Sequence, residues 1–266
     1  MEKINSIEKL QQQLGDVRKQ RFITNFFLDP VKHSVWITKG DCHTERLGDT
    51  LFIIRKDNGF WNVFYSSANN ETLSLDVKYF AAKYQEQTMM FDIVGREVQC
   101  KLLVDIFKEL GFKEATSLVR MNRIAEPFEY TRDDSIRKAT EDDIPYISKL
   151  LHEFFNPQNE QIPYEEELCD YANQGHVLVC EEQGRVAGFL IYELNASTLY
   201  LRYWFTHPDY RDKKVGSRLL RRFFEEGRET KRQLFWVIRV NENAIKRYKH
   251  YGFKEENMFD YVMKYN

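Results

Sequence analysis

The stretch Arg211-Asp212-Lys213-Lys214-Val215-Gly216-Ser217 decides how this chain is read. It is entered through Thr206-His207-Pro208 and runs into Leu219, Leu220, Phe223 and Phe224, an apolar ladder with helical spacing. The first turn of a helix carries backbone N–H groups with no intrahelical partner, and the helix dipole adds positive potential at the same end. An anion is favoured there, and Arg211, Lys213 and Lys214 add charge at that place. Such a loop can grip a phosphate, which makes the C-terminal half a candidate nucleotide-cofactor enzyme. Gly and Ser also open ordinary helices, and a second element has to decide.

Leu234-Phe235-Trp236-Val237-Ile238 reads as a short apolar strand. It is followed by Arg239-Val240-Asn241 and by a helix from about Asn243 to Tyr251 that stops at Gly252-Phe253. The order is strand, basic turn, helix, strand, helix, strand. Arg211-x-x-Lys214-x-Gly216 followed by Asn241-x-x-Ala244-x-x-x-Tyr248-x-x-x-Gly252-Phe253 resembles the GCN5-related N-acetyltransferase (GNAT) superfamily. The resemblance implies transfer of an acyl group from an acyl-coenzyme A, usually to an amine. In that family the turn reads Arg or Gln, two residues, Gly, any residue, Gly or Ala, and its backbone N–H groups bind the coenzyme A pyrophosphate. This chain keeps Arg211 and Gly216 and has Lys214 at the first Gly position. A left-handed backbone there would strain a lysine in a way it would not strain a glycine.

The resemblance covers roughly Ser135 to Asn266. Ser135 to Ala139 is expected as the first strand, and Asp142 or Thr140 as the cap of a helix carrying Ile144, Ile147, Leu150 and Leu151. A second helix is expected from about Pro163 to Asn173, then a hairpin from His176–Cys180 to Val186–Leu194 turning at Glu182-Gln183-Gly184, then a strand from Thr198 to Thr206. The resemblance implies that the backbone of Lys213, Lys214, Val215, Gly216 and Ser217 holds pyrophosphate with Arg211 beside it. It implies that Phe205 and Thr206 bind the pantetheine arm through their backbone, and that Asn241 supports that arm or simply caps its helix. Tyr248 stands where the family often has the tyrosine that protonates the departing thiolate. A general base is not fixed by the motif: Glu193, His176 and Glu153 are the candidates, with Glu193 carried as the catalytic partner of Tyr248. Arg202 could contact an anionic acceptor or be an ordinary half-exposed strand arginine.

Residues 1–128 repeat the closing cadence of the second half. Met89 to Val94 resembles a strand, Val98 to Leu110 a helix, and Leu110-Gly111-Phe112-Lys113-Glu114 matches Tyr251-Gly252-Phe253-Lys254-Glu255. The expected architecture is α/β, with two tandem acetyltransferase-like domains at 1–128 and 135–266, each a mixed, mostly antiparallel sheet flanked by helices. The boundary is expected at Glu126 to Asp134, where Pro127 interrupts a polar segment. The first copy reads as degenerate. Ser66 to Thr72 holds neither the Arg-x-x-Gly-x-Gly pattern nor a basic cluster, and Phe107 takes the place that Tyr248 takes in the second copy. At the N-terminus an amphipathic helix is expected from about Ile7 to Phe27.

With 266 residues, 42% of them hydrophobic and 30% charged, the chain has the composition of a soluble globular protein of two domains. A net charge of −2 with no polybasic tail disfavours nucleic acid and anionic membrane as partners. Arg218, Arg221 and Arg222 are expected to face solvent. The cysteines Cys42, Cys100, Cys169 and Cys180 form no C-x-x-C pair, which argues against structural zinc and fits a reducing cytoplasm. The implied partners are acetyl-coenzyme A, or another acyl-coenzyme A, and a small-molecule amine. The competing expectations are a noncatalytic acyl-coenzyme A binding module and a transferase with a longer acyl or aminoacyl donor.

Overall fold

The computed structural model describes residues 1–19, 21–126 and 129–266. Pro127, on which the expected linker break rests, lies outside the described residues. Two compact units form, and neither is contiguous in sequence. One contains Met1–Leu118, Asn156–Gln161 and Asn257–Asn266; the other contains Val119–Phe155 and Ile162–Glu256. No helix among the described residues is long and apolar enough to cross a membrane.

The first half of the chain runs β1 (Glu2–Lys3), α1 (Ile7–Val17), β2 (Ile23–Thr24), α2 (Pro30–Lys39), β3 (Cys42–Leu47), β4 (Thr50–Asp57) and β5 (Phe60–Ser67). It continues with α3 (Asn70–Lys83), β6 (Met89–Gly95), α4 (Glu97–Glu109) and β7 (Lys113–Ile124). The second half follows that order without a counterpart of β2: β8 (Ile136–Lys138), α5 (Ile144–Phe154), α6 (Glu165–Asn173), β9 (Val177–Glu182), β10 (Arg185–Asn195) and β11 (Thr198–Thr206). It closes with α7 (Val215–Glu226), β12 (Arg232–Ile238), α8 (Glu242–His250) and β13 (Lys254–Tyr265). A 3-10 turn precedes α5 at Glu141–Asp143, with Thr140 and Asp143 forming a reciprocal cap, and another precedes α7 at Pro208–Lys213.

Each unit carries a mixed, mostly antiparallel sheet. In the first, β1, β3, β4 and β5 pair antiparallel in that order, β5 and β6 pair parallel, and β6 pairs antiparallel with residues 259–265 of β13. In the second, β8, β9, β10 and β11 pair antiparallel, β11 and β12 pair parallel, and β7 lies beside β12. Helices α3 and α7 supply the crossovers that the two parallel pairs require. The expected clean split into one sheet per half of the sequence does not occur, because each unit's sheet takes its closing strand from the other half of the chain.

The second unit has a core on each face of its sheet. On one side Ile144, Ile147, Leu150 and Leu151 of α5 and Leu168 of α6 meet Val177, Val179, Phe189, Ile191, Tyr203 and Phe205. On the other, Leu219, Leu220 and Phe223 of α7 are fully buried. Each such side chain contributes about 1.5–3 kcal/mol relative to leaving it in water. The apolar stripe of α7 therefore fixes where the start of that helix lies on the sheet.

Both parallel pairs are short. Trp61 to Val63 pair with Met89 to Phe91, and Thr198 to Tyr200 pair with Arg232 to Leu234. Beyond those residues the strands part, and the first unit fills the gap with its own backbone. Thr24 and Ile23 pair with Ser66 and Ser67 at the end of β5. The Asn25 side-chain amide then bridges the gap, accepting from the Tyr65 N–H at 2.8 Å and donating to the Asp92 carbonyl at 2.8 Å. Arg18 ties the insert down by donating to Ser66 Oγ (3.0 Å), Thr24 Oγ1 (3.1 Å) and the Phe26 carbonyl (2.8 Å).

This insert also corrects the expected N-terminal helix. The helix stops at Val17 instead of reaching Phe27, because Ile23 to Phe26 are drawn into sheet pairing and Phe26 is buried against His33 and Phe64. Tertiary hydrogen bonds and aromatic burial outweigh the helical propensity of a polar stretch, which is small per residue. Asn25→Ala would leave the Tyr65 N–H and the Asp92 carbonyl without this bridge. It should destabilise the first unit by about 1–3 kcal/mol, read as a lower urea midpoint at unchanged slope.

Candidate functional site

In the second unit the parting of the strands is prepared by a bulge. The β10–β11 register runs from Asn195↔Thr198 to Tyr192↔Leu201 and resumes at Ile191↔Tyr203, leaving Arg202 as the extra residue. The bulge switches the faces of β11. Tyr203 and Phe205 join the core under α5 and α6, while Trp204 and Thr206 turn toward the start of α7. The equivalent pairing in the first unit, β4 with β5, is continuous from Thr50↔Ser67 to Asp57↔Phe60.

The basic turn sits directly beside this splayed strand. Lys214 is the N-cap position of α7 and is left-handed, with φ 56° and ψ 21°, the conformation that glycine adopts without strain. Its side chain makes no capping hydrogen bond to the first N–H groups of α7. Arg211, Lys213 and Lys214 are exposed around that end. Val215 is fully buried and seats the helix on the sheet. Ser217 Oγ accepts from the Tyr251 hydroxyl at 2.8 Å. His207 Nδ1 accepts from the Asp209 N–H at 3.3 Å, which orders the entry to the turn.

Gly216 lies close against β11. A Cβ there would lie 3.1 Å from Thr206 Oγ1 and 3.3 Å from Trp204 Cζ2, so the glycine lets the helix approach β11. Gly188 is more demanding, since a Cβ would lie 2.5 Å from the Phe205 carbonyl and 2.7 Å from Val215 Cγ1. A glycine inside a strand marks such close approaches, a signal that could have singled out Gly188 and did not enter the sequence analysis.

Tyr248 spans the gap between the parted strands. Its ring lies 5.6 Å from that of Trp204 on β11 and 4.6 Å from that of Phe235 on β12. Burial raises its phenol above the ordinary tyrosine range, opposed only by Arg247, and the group is protonated at neutral pH. The Trp204 indole N–H is buried without a hydrogen-bond partner among the described residues. The sequence alone does not single out Trp204, since its facing depends on the bulge. Asn241 caps α8, accepting from the Ala244 N–H at 3.1 Å. Phe205 packs its side chain against Phe154 and Phe189, leaving only its backbone for the gap.

Glu193 lies on the opposite face of the sheet. Tyr192 faces α7, with its ring 6.0 Å from that of Phe223, and alternation turns Glu193 the other way. There Glu193 accepts from the Tyr171 hydroxyl at 2.6 Å and pairs with Arg202 Nε at 3.5 Å. Glu193 and Tyr248 are thus not brought into contact. Glu153 is exposed on α5, and His176 stacks against Tyr192, 5.0 Å between ring centroids, with burial lowering its pKa.

Arg218 is not the solvated residue expected from the helical pattern. It donates to Asp133 Oδ2 at 2.7 Å and also binds Glu182 and Ser135, tying the segment before β8 to α7. Arg218 holds Asp133 down to about 2, from an ordinary value of 3.8. A depressed carboxylate contributes stability that is present above its unfolded pKa and lost as pH falls through its folded one. Stability of the second unit should therefore fall between pH 3.8 and about 2. Arg218→Met should flatten that part of the profile, checked by urea unfolding across the range.

Residues 144–253 match the sequence profile of the Acetyltransferase (GNAT) family. No curated protein matches the chain. Among solved structures, a GCN5-related N-acetyltransferase from Sphaerobacter thermophilus is similar, with a TM-score of 0.61 at 12% identity over 81% of this chain and 76% of that one. A GNAT-family acetyltransferase from Colwellia psychrerythraea gives 0.57 at 10% identity over 100% and 99%. A tandem GNAT protein from the clavulanic acid biosynthesis pathway gives 0.58 at 12% identity over 98% and 95%. At these identities the likeness is one of fold. The sequence profile thus matches the greater part of the second unit, and the chain as a whole is similar in fold to these acetyltransferase structures.

Proposed function

We propose that the second unit is an acyl-coenzyme A dependent N-acyltransferase that takes acetyl-coenzyme A as donor and a small-molecule amine as acceptor. The observation that carries this reading is the uncapped start of α7, ringed by exposed Arg211, Lys213 and Lys214, beside a strand gap spanned by Tyr248. The N–H groups from Lys213 to Ser217 suit a pyrophosphate, with Arg211 assisting. The unpaired edges of β11 at Phe205 and Thr206 suit the amide-bearing pantetheine arm, which can pair with them as a strand would. Asn241 keeps the β12–α8 corner in place through its cap.

The two faces of the sheet suit the two halves of the reaction. The amine nitrogen attacks the thioester carbonyl from the side of Glu193, and the C–S bond breaks toward Tyr248. The phenol gives its proton to the leaving thiolate, and the amine proton leaves through water to Glu193, which Tyr171 and Arg202 orient. Burial favours the neutral phenol, the state a proton donor needs.

The first unit is proposed as a degenerate, noncatalytic copy. Four observations support this. Its strand gap is filled by Ile23 to Asn25; β4 and β5 pair without a bulge; Asn69 caps α3 by accepting from the Thr72 N–H at 2.9 Å; and Phe107 is fully buried. An anion at α3 would have to displace a cap that the helix already has.

Calorimetry should give one acetyl-coenzyme A per chain, and full occupancy of a second site would remove the degenerate-copy reading. Tyr248→Phe should keep cofactor affinity while lowering the chemical step by about 10²–10⁴-fold, measured as thiol release in single-turnover reactions across an amine panel. Unchanged turnover would make Tyr248 structural. Tight donor binding with no thiol release from the unaltered chain would leave a binding module instead.

A further inference from the structure

We infer that the acceptor is an α-amino acid or a close analogue, and that Arg202 binds its carboxylate while Glu193 faces its amine. The inference rests on the acyl-transfer reading of the same unit. Arg202 is the bulged residue of β11, placed at the parting of the strands and on the face away from α7. Its side chain is 23% exposed and screened from bulk water on most sides. Tyr171, Tyr200 and Tyr203 surround it, with the Tyr200 ring centroid 5.3 Å from its guanidinium carbon.

The other part-buried arginines of this unit show what a structural arginine looks like here. Arg218 binds Asp133, Glu182 and Ser135, and Arg137 binds Asp143 through both Nη atoms and Glu181 through Nε and Nη2. Arg202 has one ionic partner among the described residues, Glu193, reached through Nε at 3.5 Å. No hydrogen bond from its Nη1 or Nη2 to a described residue accompanies that pair. Those two atoms form the planar edge that matches a carboxylate in bidentate fashion, a geometry lysine cannot reproduce.

Glu193 supplies the complement. One of its oxygens is engaged by the Tyr171 hydroxyl and by Arg202, and the other meets only Asn195 Nδ2 at 3.4 Å. A guanidinium and a carboxylate side by side present opposite charges, as the two ends of an α-amino acid do. A simple amine would leave the Arg202 edge unmatched, and a dicarboxylate would meet repulsion from Glu193. The burial around Arg202 opposes its charge, and the neighbouring tyrosines and Glu193 restore it, so the cation persists across physiological pH.

The test is calorimetric titration of the full chain with each common α-amino acid and with the decarboxylated amine matched to it. At least one amino acid should bind, roughly 10–100-fold more tightly than its amine, the range expected when one charge-assisted bidentate contact is lost. Arg202→Gln should erase that preference, and Arg202→Lys should restore only part of it, with folding of each variant checked by its urea midpoint. The preference of the unaltered chain is itself a readout that no variant needs to survive. Equal affinity for the paired compounds, no binding by any amino acid, or a preference that survives Arg202→Gln would overturn the inference. Thiol release separates this from the broader reading: turnover of amines lacking a carboxylate, unaffected by Arg202→Gln, would sink the inference and leave acyl transfer standing. Selective amino acid binding without thiol release under any condition would sink acyl transfer and, with it, the acceptor role, leaving only an amino acid site at Arg202.

Discussion

One extra residue in a strand governs the second unit. Arg202 is bulged out of the β10–β11 register just past Tyr200 and Leu234, where the parallel pairing of β11 with β12 ends, and the bulge sets which side chains of β11 face that gap. Backbone groups that would have paired across the gap need other partners, since an unsatisfied buried N–H or carbonyl is costly. A ligand with amide groups of its own can meet that need. The first unit meets it differently, with the backbone of Ile23 and Thr24 and the side-chain amide of Asn25 standing in for an incoming strand. The same topology thus gives an open gap in one unit and a filled one in the other.

The start of α7 is held to this gap by small residues and by strain. Gly188 and Gly216 remove the side chains that would keep the helix away from β11, and Val215 fills the space so created. Lys214 then has to adopt a left-handed conformation, at a cost of about 1–2 kcal/mol for a residue with a Cβ. The buried stripe of Leu219, Leu220 and Phe223 more than offsets this. Strain of this kind persists where packing over-determines the backbone, as it does here.

Charge is divided between the two faces of the sheet. The α7 side gathers exposed cations at a helix N-terminus, while the α6 side pairs Glu193 with Arg202 among tyrosines. Between them Tyr248 stays neutral because burial disfavours its phenolate. The chain as a whole is nearly neutral, at −2, so these local fields are matters of placement and not of composition.

Much of the fold was legible because it depends on local periodicity. The strand at 198–206 and the helices at 215–226 and 242–250 were readable from alternation, helical spacing and Gly at the helix ends, and the paired Gly-Phe cadences pointed to two similar halves. The departure from glycine at Lys214 was visible in the motif, while its left-handed conformation was decided by the fold. What the sequence could not show were features set by register and by distant partners. A bulge changes which face every later residue occupies, so the placement of Trp204, Thr206 and Arg202 followed from the β10–β11 pairing alone. Likewise, the end of α1 was decided by Arg18 reaching Ser66, the true duty of Arg218 by Asp133, and the closing strand of each unit by pairing with the other half of the chain. Periodicity is a local property that the sequence determines by itself. Hydrogen-bond partners separated by many residues are chosen only when the sheet assembles, and those choices turned a shared topology into one filled gap and one open gap.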